Sequence, residues 1–436
     1  MKKILFITYY WPPSGGAGVQ RPLKFVKYLS QNGYEIHVLT VDPDKASYPV
    51  KDPSLMSEMP TGVKVNYVSS IEPLNLLGLF ISKKKIPYGG FANTKESIFQ
   101  KCLRFIRGNF FIPDARVGWA RTSVKKAAEI IKLNQIDYVL ISSPPHSSQL
   151  IGLKLKRLFP SIKWVADLRD PWTDIYYYKD LMHLAPARKL DAKYEKMVLE
   201  NCDAALVVSP SIKKSFSEKS KNIDADKIHV IPNGYDESDF KEINFKKNKN
   251  VFTVVYTGTI ADSYSPEVFF KILKEINNDS KSCEIRLRMI GSRSAGISAL
   301  IDKYGLNEIS DIINYVSHQE AIVEMQSASL LLLIIPDVAG NEGILTGKLF
   351  EYMGSGRPII GLGPVHGDAA TILNETGAGK MFSRESESEI KKYIVDEMSK
   401  WMNVDEKGTI NSEIQKYSRR KQAEAVASIF SKLQTT

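Results

Sequence analysis

Short runs of β-branched and large apolar residues alternate along the chain with longer stretches whose apolar positions recur every three to four residues. Residues 4–8 form the first run, a strand buried on both faces. From 19 to 30, Val19, Leu23, Val26 and Leu29 recur at helical spacing, with Pro22 tolerable in the first turn. Asn32-Gly33 ends that helix, and 35–41 is a second strand. Further strands are predicted at 137–142, 163–166 and 204–209, separated by helical stretches such as 122–133 and 147–159. Strands alternating with helices build a mostly parallel sheet covered on both faces. A turn at 231–236 and a polar, lysine-rich stretch at 241–250 interrupt the pattern, which then restarts. Strands are predicted at 252–257, 285–290, 312–316, 330–335 and 358–362, with helices at 266–276, 295–304, 319–327 and 346–353. The expected organisation is two doubly wound α/β domains, 1–236 and 251–410, joined by a linker at 237–250. A terminal amphipathic helix follows within 411–436, carrying Ile414, Tyr417, Val426, Ile429 and Leu433.

Residues 72–118 break the rhythm. Leu74, Leu76, Leu77, Leu79, Phe80 and Ile81 precede Lys83-Lys84-Lys85, and Phe105, Phe110, Phe111 and Ile112 follow amid Lys101, Arg104 and Arg107. Two readings stay open: a helical insertion packed on its own domain, or an apolar and cationic stretch over 72–112 lying on an anionic bilayer. Composition narrows the class. With 43% hydrophobic and 25% charged residues in 436, the chain is globular, and no apolar run approaches the ~20 residues of a membrane span. The apolar run after Lys2-Lys3 is short and leads into Pro12-Pro13-Ser14-Gly15-Gly16 in place of a cleavage site. A cytoplasmic protein, at most at the inner face of the plasma membrane, is therefore expected. Cys102, Cys202 and Cys283 are too scattered for a disulfide framework or a CxxC site. A net charge of +10 suits an anionic partner, whether nucleic acid, membrane or phosphorylated metabolite, without choosing among them.

Gly15-Gly16-Ala17-Gly18 separates the first strand from the first helix, where backbone N–H groups and a helix start can face an anion, with Arg21 and Lys24 just inside. A dinucleotide fingerprint would need glycine where Arg21 stands, although Asp42 could pose as the ribose carboxylate of an NAD site. A turn that merely reverses the chain is the plain alternative. Asp42-Pro43-Asp44 and Asp224-Ala225-Asp226 have the spacing that can hold a divalent cation on a diphosphate, but both read as solvated loop carboxylates. No zinc spacing is present either, so neither a metal nor another cofactor is expected. Asp167-Leu168-Arg169-Asp170-Pro171-Trp172 follows a buried strand at the carboxyl end, where open α/β sheets place their ligands. Such charges are costly beside a core unless they serve a site or pair with each other, and both options stand. His146, after Ser142-Ser143-Pro144-Pro145, either faces the same crevice or is an ordinary packed histidine. The sharpest constellation runs from Asn341 to Ile360. A turn with Gly340 and Gly343 opens a helix at Thr346-Gly347-Lys348, whose N–H groups and cation match a diphosphate. Lys348 and Glu351 share one helical face, so the carboxylate can take a ribose diol while the lysine neutralises phosphate; a surface ion pair is the alternative.

PPSGGAGVQR at 12–21, ADLRDPW at 166–172, IPNGYD at 231–236, YTGTI at 256–260, NYVSHQEAIVEMQSASLLLLI at 314–334 and KLFEYMGSGRPII at 348–360 together resemble the retaining GT-B glycosyltransferases of group 1, or family 4, of bacterial polysaccharide type. The resemblance covers nearly the whole chain. It implies two Rossmann-like domains facing across a cleft, the nucleotide-sugar donor held mainly by the C-terminal one, the acceptor by the N-terminal one, and a terminal helix that crosses back. It further implies that Glu351 binds the ribose hydroxyls, that Val316 and Ser317 backbone groups meet the base, and that Gly16 and Gly18 cap the diphosphate from across the cleft. The loop of Glu342, Gly343, Ile344 and Leu345 would touch the donor sugar, with Gly258, Thr259 and Thr346 beside it. Eight residues separate Glu342 from Glu351 where the family has seven. The family's Arg and Lys after the first strand of the second domain are replaced by Thr259 and the 262–266 stretch, which leaves Lys348 and Arg293 to meet the diphosphate. Arg169-Asp170 stands where many relatives carry His-Asp. The implied reaction moves a sugar from a nucleotide sugar, with a UDP-sugar as the expected donor, to a glycan or lipid-linked hydroxyl in capsule or O-antigen assembly. Lys348, Arg293 and Asp170 would be catalytic, and Arg21, His146, Asp167 and Asp170 would hold the acceptor. An anionic membrane is a further expected partner, and nucleic acid is not. An NAD-dependent oxidoreductase and a basic RNA- or membrane-binding module are the competing classes.

Overall fold

A computed structural model describes residues 1–70, 98–240, 247–279, 283–403 and 410–435. Most of the predicted 72–118 insertion, from 72 to 97, and residues 241–246 of the predicted linker lie outside the described residues. The chain divides into two compact units, Met1–Pro232 with Gln422–Thr436, and Asn233–Lys421.

The first unit holds a parallel seven-stranded sheet: β1 (Lys3–Ile7), β2 (Glu35–Val41), β3 (Lys64–Val68), β4 (Tyr138–Ser143), β5 (Lys163–Leu168), β6 (Ala204–Val207) and β7 (Ile228–Val230), in the order β3-β2-β1-β4-β5-β6-β7. Helices on both faces explain why its central strands read as unbroken apolar runs. Leu5 and Ile7 of β1 point into one core layer, with Trp119 and Trp164, while Ile4 and Phe6 point into the other, with Val19 and Leu23. Packing is tight where α-helix Gln149–Leu158 crosses β5: a Cβ on Gly152 would lie 2.1 Å from Trp164 Cε2. Gly152→Ala is therefore expected to lower stability by roughly 1–3 kcal/mol, read as a lower denaturant midpoint with an unchanged slope.

The second unit holds a parallel six-stranded sheet: β8 (Val251–Thr257), β9 (Glu284–Ile290), β10 (Ser310–Ile313), β11 (Leu330–Ile334), β12 (Ile359–Leu362) and β13 (Gly379–Phe382), in the order β10-β9-β8-β11-β12-β13. Leu330, Leu332 and Ile334 face one core layer and Leu331 and Leu333 the other. In the first sheet the order reverses at β1/β4, and in the second at β8/β11. These are the points where loops diverge to opposite faces and leave a ligand crevice at the carboxyl ends of the strands.

The terminal helix, Arg419–Thr435, buries Ala423, Val426 and Phe430 in the core of the first unit. Its Phe430 ring stacks on Tyr138 at 4.6 Å, and Tyr138 Oη donates to the Phe430 carbonyl at 3.1 Å. The strand expected at 312–316 lies earlier, at Ser310–Ile313, because residues 314–317 are already the approach to the next helix.

Candidate functional site

The loops leaving β8, β9 and β11 build the polar end of the second unit. Gly258 takes φ +93° directly after β8, and Gly291 takes φ +119° directly after β9, both in the left-handed region that favours glycine. A Cβ on Gly258 would meet Lys348 Cε at 2.6 Å, and one on Gly291 would meet the Gly258 carbonyl oxygen at 2.5 Å, so neither position has room for a side chain. At Gly258 the space is taken by Lys348, at the start of α-helix Gly347–Gly354. Its Nζ donates to Tyr256 Oη at 3.0 Å and lies over the Tyr256 and Tyr264 rings at 4.9 and 5.6 Å from their centroids. Tyr256 Oη in turn donates to the Thr259 carbonyl at 2.8 Å. Half-burial among rings pulls the Lys348 ammonium down to about 8, against the opposing pull of Glu351 one turn on. Thr346 stands at the N-cap position but makes no cap bond, and its Oγ1 is buried without a partner among the described residues. A helix start, a held cation and an unused hydroxyl thus converge, which is a chemistry suited to a phosphate group.

Arg293 is exposed in the turn after β9, its Nε donating to Ser298 Oγ at 3.0 Å. Glu342 and Gly343 lie in a short 3₁₀ turn whose Asn341 side chain is fixed to the Pro336 carbonyl at 2.8 Å, followed by Ile344 and the buried Leu345. Ser317 departs from expectation. Its N–H donates to Glu320 Oε2 at 2.8 Å and its carbonyl accepts from Ala321 at 3.0 Å, so its backbone caps α-helix His318–Ser327 instead of facing a base. Val316 is half-buried on the same core layer as Ile344. Two residues missed in the sequence stand behind Glu351. His318 Nδ1 lies 4.0 Å from Glu351 Oε1, and His318 Nε2 lies 3.3 Å from Asp239 Oδ2. The only local signal was the Ser317…Glu320 capping box, which fixes where the histidine ring starts out.

In the first unit the expectation for Arg21 and Asp167 is corrected. Arg21 donates from Nε to both Asp167 oxygens at 3.0 and 3.2 Å, from Nη2 to Oδ1 at 2.8 Å, and from Nη1 to the Pro232 carbonyl at 2.7 Å. Ser142 Oγ donates to Asp167 Oδ2 at 2.7 Å, and both ionic side chains are 0% exposed. They hold the first helix against β4 and β5 and have no surface left for an acceptor. Lys24 is likewise buried, on Glu58 at 2.8 Å. Arg169 donates to the carbonyls of Ser143, Gly18 and Pro144 at 2.9, 2.8 and 3.1 Å, tying together the loops that follow β1, β4 and β5. Gly16, at φ 85° and ψ 172°, opens the first helix in a conformation that side chains resist. Beside Arg169 sit Asp170, half-buried with its carboxyl raised by that burial, and His146. The His146 ring stacks on Trp172 at 4.7 Å and 11°. Burial pulls it down to about 4, so it is neutral at pH 7, and its Nδ1 is buried without a partner among the described residues. Asp170 and His146 are thus brought together around Arg169. The Asp42 and Asp224 carboxylates each close their own turn, onto Asp44 N–H at 3.0 Å and Asp226 N–H at 2.9 Å. Among the described residues no three His, Cys, Asp or Glu gather as a metal site, and no helix is long and apolar enough to cross a membrane.

Residues 89–239 match the family described as Glycosyltransferase Family 4. No curated protein matches by sequence. Among solved structures, the chain is similar to sucrose-phosphate synthase from Thermosynechococcus elongatus, at TM-score 0.66 and 14% identity over 100% of both chains. It is similar to S. aureus TarM in complex with fondaparinux, α-GlcNAc-glycerol and UDP, at TM-score 0.62 and 12% identity over 99% of this chain and 100% of that one. HepE from Anabaena, in complex with UDP and glucose, superposes at TM-score 0.61 and 13% identity over 99% and 100%.

Proposed function

We propose that the chain, which has the GT-B fold and carries the family 4 match over residues 89–239, is a glycosyltransferase that moves a sugar, with retention at the anomeric carbon, from a UDP-sugar to a hydroxyl of a glycan or lipid-linked acceptor. The observation that carries the reading is Lys348, poised at a helix start against the Gly258 turn, where its stem leaves no room for a side chain. The UDP in the TarM and HepE complexes supports the choice of nucleotide.

In this reading the second unit holds the donor. The Gly347 end of the helix, Lys348, the Thr346 hydroxyl and Arg293 meet the diphosphate, without a metal. Glu351 takes the ribose hydroxyls, Val316 the base, and residues 342–345 the sugar. The bond from the anomeric carbon to the diphosphate oxygen breaks, and the electron pair leaves with the diphosphate. The acceptor oxygen bonds the same face of that carbon, and its proton passes to the departing phosphate oxygen. Catalysis is then positioning and stabilisation of developing negative charge. The first unit holds the acceptor, with Asp170 and His146 orienting its hydroxyl and the Gly16 and Gly18 amides adding N–H groups. A lipid-linked acceptor of surface-polysaccharide assembly at an anionic membrane suits α-helix Ile98–Phe110, which exposes Ile98, Ile106 and Phe110 on one stripe beside Lys101.

Calorimetric titration of UDP, GDP and NAD into metal-free protein tests the assignment. Wild type is expected to bind a nucleoside diphosphate, and Glu351→Ala to bind it at least tenfold more weakly. Tight NAD binding with no nucleoside-diphosphate signal would overturn it.

A further inference from the structure

We propose that Asp239 and His318 complete the nucleoside end of the donor site, and that His318 together with Glu351 selects ribose over deoxyribose; this rests on the donor reading above.

The geometry is local to the second unit. His318 is the first residue of its helix, and the Ser317–Glu320 capping box fixes the backbone there. Asp239 arrives from the 3₁₀ turn Glu237–Asp239, itself held by Asp236, which accepts from Ser238 N–H at 3.0 Å. Behind that turn Tyr235 and Phe240 lie against Gly354, where a Cβ would come within 2.7 Å of either ring, so the turn is pressed onto the helix that carries Glu351. Asp239 is thus placed to hold the His318 ring through Nε2 at 3.3 Å. The other edge of the ring, Nδ1, faces Glu351 Oε1 at 4.0 Å.

A separation of 4.0 Å is too long for a direct hydrogen bond. It suits a hydroxyl between the two atoms: an oxygen about 2.8 Å from each would subtend an angle of roughly 90° at that oxygen. With a hydrogen on each ring nitrogen the three groups and the hydroxyl form one chain. Nε2–H then donates to Asp239, Nδ1–H donates to the bridging hydroxyl, and that hydroxyl donates to Glu351. The second hydroxyl of a ribose cis-diol is left for the remaining Glu351 oxygen. Among the described residues, Lys348, one turn before Glu351, is turned toward Tyr256, and Glu320, on the histidine's own helix, is engaged with Ser317. His318, Asp239 and Glu351 keep 17%, 17% and 26% of their side chains exposed, so a ligand can reach them.

The test uses the full chain and titrates UDP, 2′-deoxy-UDP and 3′-deoxy-UDP into wild type, His318→Ala, His318→Gln and Asp239→Asn, with melting curves to confirm folding. Wild type should prefer UDP over one of the deoxy forms by about tenfold or more. His318→Ala should bind UDP about tenfold more weakly and lose most of that preference. His318→Gln, whose amide can reach the same gap, should recover part of both, and Asp239→Asn should fall between. In turnover assays with a UDP-sugar the losses should appear in donor KM, with kcat within about twofold. Full ribose preference in folded His318→Ala, or a fall in kcat at unchanged KM, would overturn the inference while leaving the donor reading intact. Failure of wild type to bind any nucleoside diphosphate would overturn both.

Discussion

Lys348→Met lowers kcat by about two to three orders of magnitude and leaves the cooperative unfolding transition intact; this is the largest catalytic effect expected of any single substitution in the chain. The magnitude is that of removing one preorganised charge contact to a leaving group in a dry site, roughly 3–4 kcal/mol. Methionine keeps the stem that fills the space above Gly258 and lies among the Tyr256 and Tyr264 rings, so packing is preserved while the charge is lost. Lys348→Arg does not rescue it, because a planar fork is wider than the slot that admits the ammonium. Steady-state kinetics at saturating donor checks both. Unchanged kcat in Lys348→Met would remove the lysine from the leaving-group site.

The pH profile carries the same expectation with a definite sign. In the free protein the ammonium is held down to about 8, so the charged form dominates below that pH and is lost as pH rises through it. kcat/KM should therefore fall on the alkaline side with an apparent pKa near 8. A bound diphosphate favours the charged form and raises the group again, so kcat itself holds to higher pH. Stability moves the opposite way. A lysine whose folded pKa is depressed binds fewer protons folded than unfolded between about 8 and its ordinary value of 10.5, so wild type gains stability as pH rises through that window. Lys348→Met should accordingly be the more stable protein at pH 7, and that advantage should fade on the alkaline side.

What the sequence made legible divides along physical lines. Unbroken apolar runs such as those of β1, β2, β8 and β11 identified the sheets, because strands buried on both faces need no polar alternation. β3, β7 and β13 escaped, the first because an edge strand reading Lys64–Val68 is half polar, the second because three residues carry no period, and the third because Gly379–Phe382 offers only two apolar residues after a glycine and a lysine. The helix start with Lys348 was readable because its chemistry is contiguous: turn, cap, cation and carboxylate within about ten positions. Arg21 was misplaced for the opposite reason. Its partner lies 146 positions on, and a cation beside a glycine turn looks the same whether it awaits a ligand or already holds a carboxylate. Ser317 shows the same limit at short range, since a serine that caps a helix and a serine whose backbone meets a base share one sequence. His318 needed Asp239, 79 positions earlier, and Glu351 on another helix before it could be noticed.

The largest stability effect is expected at that misread pair. Asp167→Ala leaves the Arg21 guanidinium in a fully buried setting with only the Pro232 carbonyl, and Ser142 without its acceptor. An uncompensated buried charge of this kind costs about 3–5 kcal/mol, a large share of a domain's stability. Arg21→Met should cost a similar amount by stranding the carboxylate, yet the double substitution Arg21→Met with Asp167→Leu should recover most of either loss, because the expense lies in the unpaired charge and not in the missing attraction. Urea unfolding of the four proteins measures the cycle directly. It also separates a structural pair from an acceptor contact. If the double variant regains stability and transfers sugar with an acceptor KM within about twofold of wild type, the pair is scaffold. A well-folded double variant with acceptor KM raised tenfold or more would return Arg21 and Asp167 to the site, and the crevice beside Asp170 and His146 would have to be rebuilt around them.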